Sequence, residues 1–220
     1  MTNDTISLDQ LTGWLTRFRE LVTEQVAYLT ELDSAIGDAD HGSNMTRGMD
    51  AVIEKIQAAP AGTVDVLFKA VGMTLVTTVG GASGPLYGTF FLRFGTTAGA
   101  VETLDASGLS AALRAGLGGV VARGKAEAGD KTMIDALEPA LDEFDAAVAG
   151  SSDIATSSDI AAAASAAYSA AHTGRDATEA LLARKGRASY LGERSIGHID
   201  PGAASTALLF QALAETLTKE

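Results

Sequence analysis

Leu32-Asp33-Ser34-Ala35-Ile36-Gly37-Asp38-Ala39-Asp40-His41-Gly42-Ser43-Asn44 is the stretch on which the reading of the chain turns. It sets three carboxylates among small residues. On a helix, residues two apart point about 200° away from each other, whereas in an extended loop they share a side. Asp38 and Asp40 therefore converge only if this is a loop, and no basic residue between Asp33 and Asn44 offsets them. An all-oxygen cluster suits Mg²⁺ or Ca²⁺. The pattern lacks the alternating acids and distant Glu of a calcium loop, which favours Mg²⁺. Gly37 and Gly42 permit a sharp turn and close approach to a ligand. The same residues also read as a solvated acidic turn capping a helix that begins near Ser43.

The 220 residues are enough for one large or two small domains. Apolar content of 46% supports a core, while 5% aromatics with abundant Ala and Gly favour closely packed helices over a bulky sheet. The chain has no Cys, which excludes disulfides and thiolate metal sites. A net charge of −12 argues against nucleic acid and anionic membranes as partners. Neither a signal peptide nor a run of roughly 18 apolar residues is visible, so a soluble, cytoplasmic protein is expected.

Outward from the acidic loop, the apolar period predicts eight helices. The first runs from Leu8 to Leu32 and delivers Asp33 at its end. Met45 to Ile56 makes the second, stopped by Pro60 and Gly62. Val64 to Val79 reads as a third, with two short strands as the alternative. Gly80-Gly81-Ala82-Ser83-Gly84-Pro85 opens a fourth, with Pro85 at its first position and Ser83 or Gly84 near its cap. Thr103 to Ser107 is a polar break. Leu109 to Val121 forms the fifth, where Gly116, Gly118 and Gly119 allow close packing. Asp130 caps a sixth, from about Thr132 to Phe144. The repeated Ser151-Ser152-Asp153-Ile154 and Ser157-Ser158-Asp159-Ile160 read as a flexible link. An Ala-rich seventh helix covers Ile160 to His172 and resumes over Ala177 to Ala183. The eighth spans Ala203 to Leu217, with Asp200 as cap and Pro201 at its first position.

Short connections between helices favour an antiparallel up-and-down bundle or closed ring, in which connections alternate between two ends. The four unusual loops, carrying Asp38, Ser83, Met133 and Asp200, then share one end. Three of them open helices whose free N–H groups suit an anion. Neither a Gly-x-x-x-x-Gly-Lys-Ser/Thr nor a Gly-x-Gly-x-x-Gly stretch is present, so the two commonest nucleotide folds are not indicated. Arg187 and Arg194 are suited to phosphate oxygens. His41 is open to several roles: acid or base, phosphate donor, phosphocarrier, or partner to an Asp. His172 and His198 have no comparable company, and no Ser/His/Asp triad is indicated.

The stretches Gly37–Met45, Gly80–Tyr87, Gly129–Met133 and Gly186–Ser195 with Asp200–Ala203 together resemble the nucleotide-binding L-subunit family of the dihydroxyacetone kinases, in the same order over nearly the whole chain. The resemblance implies one nucleotide-binding domain over residues 1–220, an all-α, eight-helix antiparallel barrel with the nucleotide at one end. By motif match, Asp33, Asp38 and Asp40 would hold two Mg²⁺ ions. His41, Gly42, Ser43, Asn44, Ala82, Ser83, Gly124, Met133, Arg187, Asp200, Pro201 and Gly202 would contact ADP or ATP, with Arg187 and His41 clamping phosphate. Ala39 stands where the family has Gly, and its Cβ opposes a positive φ. The resemblance further implies a dihydroxyacetone-binding K subunit and a phosphocarrier M subunit of the phosphoenolpyruvate-dependent phosphotransferase system, which rephosphorylates bound ADP; it also allows a homodimer. Alternatives are an ATP-dependent kinase component for another short ketose such as erythrulose, and a non-catalytic nucleotide-binding regulatory module. Fatty-acid kinases contain a related domain, with Thr in place of His41.

Overall fold

The computed structural model describes residues 5–150 and 157–218. Ser7 starts the first helix through a reciprocal capping box: Gln10 N–H donates to Ser7 Oγ at 3.2 Å and Ser7 N–H to Gln10 Oε1 at 2.8 Å. That helix, α1 (Leu8–Glu24), presents Leu11, Trp14, Leu15, Phe18, Leu21 and Val22 to the interior. At Gln25 (φ −103°, ψ 13°) the chain bends and continues as α2 (Val26–Ile36). One long first helix was expected. The apolar period runs through the bend without Gly or Pro, so the pattern carries no sign of it.

Seven further α-helices follow: α3 (His41–Ala58), α4 (Val64–Thr78), α5 (Ser83–Ala98), α6 (Ala106–Gly124), α7 (Ile134–Gly150), α8 (Ser157–Ala177) and α9 (Pro201–Thr218). The described residues thus form an all-α fold with nine α-helices, not eight. The Val64–Val79 segment is a helix, not two strands. The expected polar break around Thr103 holds a strand, β2 (Thr103–Asp105), antiparallel to β1 (Thr5–Ser7) with Ile6 opposite Leu104. Asp105 then caps α6 through Gly108 N–H at 2.7 Å. The link expected around the two Ser-Ser-Asp-Ile repeats lies largely outside the described residues.

Successive helices pack as neighbours, α3 on α4, α4 on α5, and so on to α8 on α9; α1 closes the ring by packing on both α9 and α3. Gly116 and Gly119 sit where a Cβ would strike Phe90 and Arg93 of α5, whereas Gly118 faces open space. Where the ring closes, the buried Trp14 indole N–H donates to the Leu209 carbonyl at 2.8 Å, tying α1 to α9. Phe68 and Phe94 meet with ring centroids 4.3 Å apart. One continuous apolar cluster reaches from Ile6 to Ala214. It supplies the rigid wall against which one set of loops is displayed.

Candidate functional site

The loop between α2 and α3 is organised by Asp33 from within. Asp33 is 7% exposed, and its Oδ2 accepts the N–H groups of Asp40 (2.8 Å) and His41 (3.1 Å). It satisfies free donors at the start of α3, so the capping acceptor comes from the preceding helix. The expected start near Ser43 moves to His41, and Ser43 Oγ donates to the Asp40 carbonyl. Gly37 makes the turn sterically possible, since a Cβ there would lie 2.0 Å from Asp33 Oδ1. Ala39 adopts φ +62° despite its Cβ. The strain of about 1–2 kcal/mol is accepted because the backbone on either side is held by Asp33.

The result is convergence: a carboxylate oxygen from each of Asp33, Asp38 and Asp40 lies within 4.8 Å of the other two. The donor set is hard oxygen only, the chemistry that fits Mg²⁺. Asp38 also meets the exposed Arg187 guanidinium at 2.9 Å.

These groups open on a cavity of about 450 Å³, a volume suited to a small ligand. The wall draws on all four unusual connections, as their shared end requires. His41, Ala82, Ser83, Gly124, Met133, Arg187, Asp200, Pro201 and Gly202 line it together with Asp33, Asp38 and Asp40. Gly42, Ser43 and Asn44 do not. Gly42 lets α3 approach α2, where a Cβ would stand 2.3 Å from the Val26 carbonyl oxygen. Ser43 is exposed, and buried Asn44 accepts from Arg47 at 2.6 Å. Arg194, His172 and His198 lie outside the lining.

On the second loop, α5 begins at Ser83, so Pro85 stands at the third helical position instead of the first. On the third, Asp130 does not cap the next helix; its carboxylate accepts Glu127 N–H at 3.0 Å. Thr132 Oγ1 accepts the N–H of Ile134, where α7 begins, at 3.2 Å, and Asp135 in the first turn braces the loop by accepting Thr132 N–H (2.7 Å) and Gly129 N–H (2.5 Å). On the fourth, α8 ends at Ala177 and does not resume; short 3₁₀ segments cover Thr178–Ala180 and Arg187–Ser195. Asp200 caps α9 as expected, accepting Ala203 N–H at 2.7 Å, with Pro201 first in the helix.

Lys131 was not anticipated. Its side chain is fully buried, and its Nζ donates to the carbonyls of Thr178 (2.7 Å), Leu181 (3.1 Å) and Glu179 (3.5 Å), with the backbone at φ +63°. Burial lowers its pKa, opposed by the Asp200 carboxylate and other nearby acids. Arg123 and Lys185 add cations to the lining. Basic groups thus enter the mouth of a chain of net charge −12.

His41 is buried, and this pushes its pKa down to about 4 against the opposing pull of Asp33 and Asp40. The imidazole is neutral near pH 7. Burial raises Tyr87 to about 12, so its phenol keeps its proton.

Asp200 moves from 3.8 up to about 7, driven by burial and reinforced by Asp135, with Lys131 and the Ala203 and Gly202 N–H groups pulling the other way. A carboxyl that holds its proton more tightly folded than unfolded stabilises the fold fully below pH ~4 and loses that contribution as pH rises to about 7. Wild-type Tm should therefore fall between pH 5 and pH 8 by more than that of Asp200→Asn, whose amide oxygen keeps the cap and does not titrate. Parallel slopes in thermal melts of the two proteins would contradict this.

A family model described as the DAK2 domain matches residues 35–215. The ADP-binding subunit DhaL of the PEP-dependent dihydroxyacetone kinase of Escherichia coli strain K12 is 46% identical over 209 residues, 95% of this chain and 97% of that one. The corresponding subunit of the PTS-dependent kinase of Lactococcus lactis strain IL1403 is 44% identical, covering 96% of this chain and 99% of its own. Among solved structures, the dihydroxyacetone kinase of C. freundii in complex with AMP-PNP and Mg²⁺ superimposes with a TM-score of 0.68 at 28% identity. The match covers 93% of this chain and 33% of that kinase, so the chain spans about a third of its length. No helix of the described residues is long and apolar enough to cross a membrane.

Proposed function

Because this chain belongs to the DAK2-domain family that includes the ADP-binding subunits of dihydroxyacetone kinase, we propose that it is the nucleotide-presenting subunit of such a kinase. It passes a phosphoryl group from bound ATP to dihydroxyacetone held on a K subunit, and a phosphocarrier M subunit recharges the ADP in place. The observation that carries this reading is the shared cavity. Three oxygen ligands for cations, an arginine, and the N-terminal residues of α5 and α9 face the same 450 Å³.

Asp33, Asp38 and Asp40 would hold two Mg²⁺ ions, which supply charge neutralisation at the phosphoryl oxygens. Arg187 clamps phosphate as a planar donor beside the carboxylates. Ser83 and the Gly80–Ala82 turn offer a hydroxyl and backbone N–H groups to the phosphates, and His41 orients Ser83. Asp200, Pro201 and Gly202, with Met133 and Gly124, form a wall for the nucleoside. Gly42, Ser43 and Asn44 act through the α3 start that they build. No residue needs to become a nucleophile, since phosphoryl transfer asks for alignment and charge more than for covalent help. Residues 1–220 act as a single domain in the cytoplasm.

The test is to denature the purified protein and quantify released nucleotide and magnesium. About one ADP per chain is expected, because a cofactor recharged in place must outlast many turnovers. A chain that emerges empty and binds ATP only weakly would overturn the recharged-cofactor reading and favour an exchangeable ATP.

A further inference from the structure

A file of polar groups leads from the cavity wall into the closed interior. Ser83 Oγ lies 3.2 Å from His41 Nδ1, and His41 Nε2 lies 2.9 Å from Ser205 Oγ on α9. Ser205 Oγ is 2.8 Å from the Tyr87 hydroxyl, which is 3.2 Å from Thr206 Oγ1, and Ser205 Oγ also stands 3.1 Å from the Gly202 carbonyl. Tyr87, Ser205 and Thr206 are at most 1% exposed. A buried chain of this kind has every member satisfied or else costs stability.

The heavy atoms admit two directions. In the first, Ser205 O–H donates to the Gly202 carbonyl, and Ser205 Oγ accepts His41 Nε2–H and Tyr87 O–H. His41 Nδ1 then accepts Ser83 O–H, so the serine hydrogen points away from the cavity. In the second, Ser205 O–H donates to Nε2, the imidazole hydrogen sits on Nδ1 and is donated to Ser83 Oγ, and the Ser83 hydrogen is released toward the cavity. Tyr87 donates to Ser205 in both. An imidazole with one N–H is donor on one side and acceptor on the other, so it transmits the direction.

We propose that Tyr87 and Ser205 are positioning residues that keep both directions available to His41, so that a phosphoryl oxygen arriving at Ser83 reverses the chain. This rests on Ser83 as a phosphate contact. The net change is one proton fewer on Nε2 and one more on Nδ1, exchanged with water, so the imidazole gains no charge. An anionic oxygen at Ser83 favours a hydroxyl that donates to it, and of the two directions only the second frees the Ser83 O–H to do so. The reversal also releases the Gly202 carbonyl at the start of α9, itself part of the cavity wall. Occupancy at Ser83 is thereby felt at the start of α9.

The readout is the imidazole ¹H–¹⁵N pattern of labelled protein, which separates the Nε2–H from the Nδ1–H tautomer, recorded free and with saturating Mg-ADP whose binding is followed by calorimetry. His41 is picked out from the other two histidines with His172→Asn and His198→Asn, which lie outside the lining. His41 should carry Nε2–H when free and Nδ1–H when bound. In Ser205→Ala the tautomer should be the same in both states. In Tyr87→Phe the dissociation constant for ADP should rise about three- to tenfold, the scale of one hydrogen bond. One tautomer throughout in the wild type, with ADP bound, would overturn the inference and leave the nucleotide reading standing. Absence of ADP binding would overturn that reading and the inference with it. Because the wild-type spectra suffice, a variant that fails to fold does not remove the test.

Discussion

Asp38→Asn should fold like the parent and lose about a thousandfold or more of its phosphotransfer rate. The carboxylate is exposed, and the only internal partner found for it among the described residues is Arg187 at 2.9 Å. An exposed ion pair of this kind is worth ~1 kcal/mol or less, so Tm should move by no more than a few degrees. Function is different, because an amide is a poor ligand for Mg²⁺ and leaves the cluster one charge short. Losing the several kcal/mol that a bound cation contributes at phosphoryl oxygens corresponds to about three powers of ten in rate. Turnover would be measured with dihydroxyacetone and the partner subunits over a magnesium titration. Full activity in the variant would remove Asp38 from the metal set. Asp33→Asn is a less clean probe, since its Oδ2 also holds the N–H groups of Asp40 and His41 and loop order would change with the charge.

The contrast between Asp38 and Asp33 shows what a pattern of residues conveys about this molecule. That three carboxylates converge follows from their spacing and from the need for a loop, and the shared end of the four unusual connections follows from counting helices. Neither depends on knowing a single contact. The departures share one trait: the apolar period does not carry them. The bend at Gln25 interrupts a helix whose apolar face does not register it. The β1–β2 pair joins two three-residue segments about a hundred residues apart, too short for an alternating pattern to be seen. The α3 start falls at His41, two residues before Ser43, because the Asp33 carboxylate on the preceding helix accepts the N–H groups of Asp40 and His41. Ala39 was flagged by its Cβ, and the chain nevertheless bears the positive φ. Tyr87 and Ser205 carried no signal at all, being a Tyr on an apolar stripe and a Ser within a run of small residues.

Lys131→Met should destabilise the fold by about 1–3 kcal/mol and should cost nucleotide affinity as well. A lysine in a polar loop ordinarily reads as a solvated charge, yet here Nζ is the donor for the Thr178 and Leu181 carbonyls and reaches toward that of Glu179. Methionine fills the space but donates nothing: the Leu181 carbonyl loses the Lys131 donor, while the Thr178 and Glu179 carbonyls keep the N–H groups of Leu181 (3.1 Å) and Gly197 (2.8 Å), so the loss comes to about 1–3 kcal/mol in all. The ammonium also draws the pKa of the Asp200 carboxyl down, so its removal should push that group higher still and weaken the wall formed by Asp200, Pro201 and Gly202. The Arg184 N–H to Asp130 carbonyl bond at 3.0 Å adjoins the same tether, and the chain from there runs directly into Lys185, Gly186 and Arg187. Released, that segment no longer aims the Arg187 guanidinium beside Asp38. Denaturant unfolding should therefore show a lower midpoint, and calorimetry should show weaker ADP binding even where the variant is fully folded. Lys131→Arg provides the control. Its guanidinium restores charge without the compact three-donor geometry, so it should recover part of the stability and less of the affinity. A methionine variant as stable as the parent would mean that Lys131 is not what holds the fourth loop to the third.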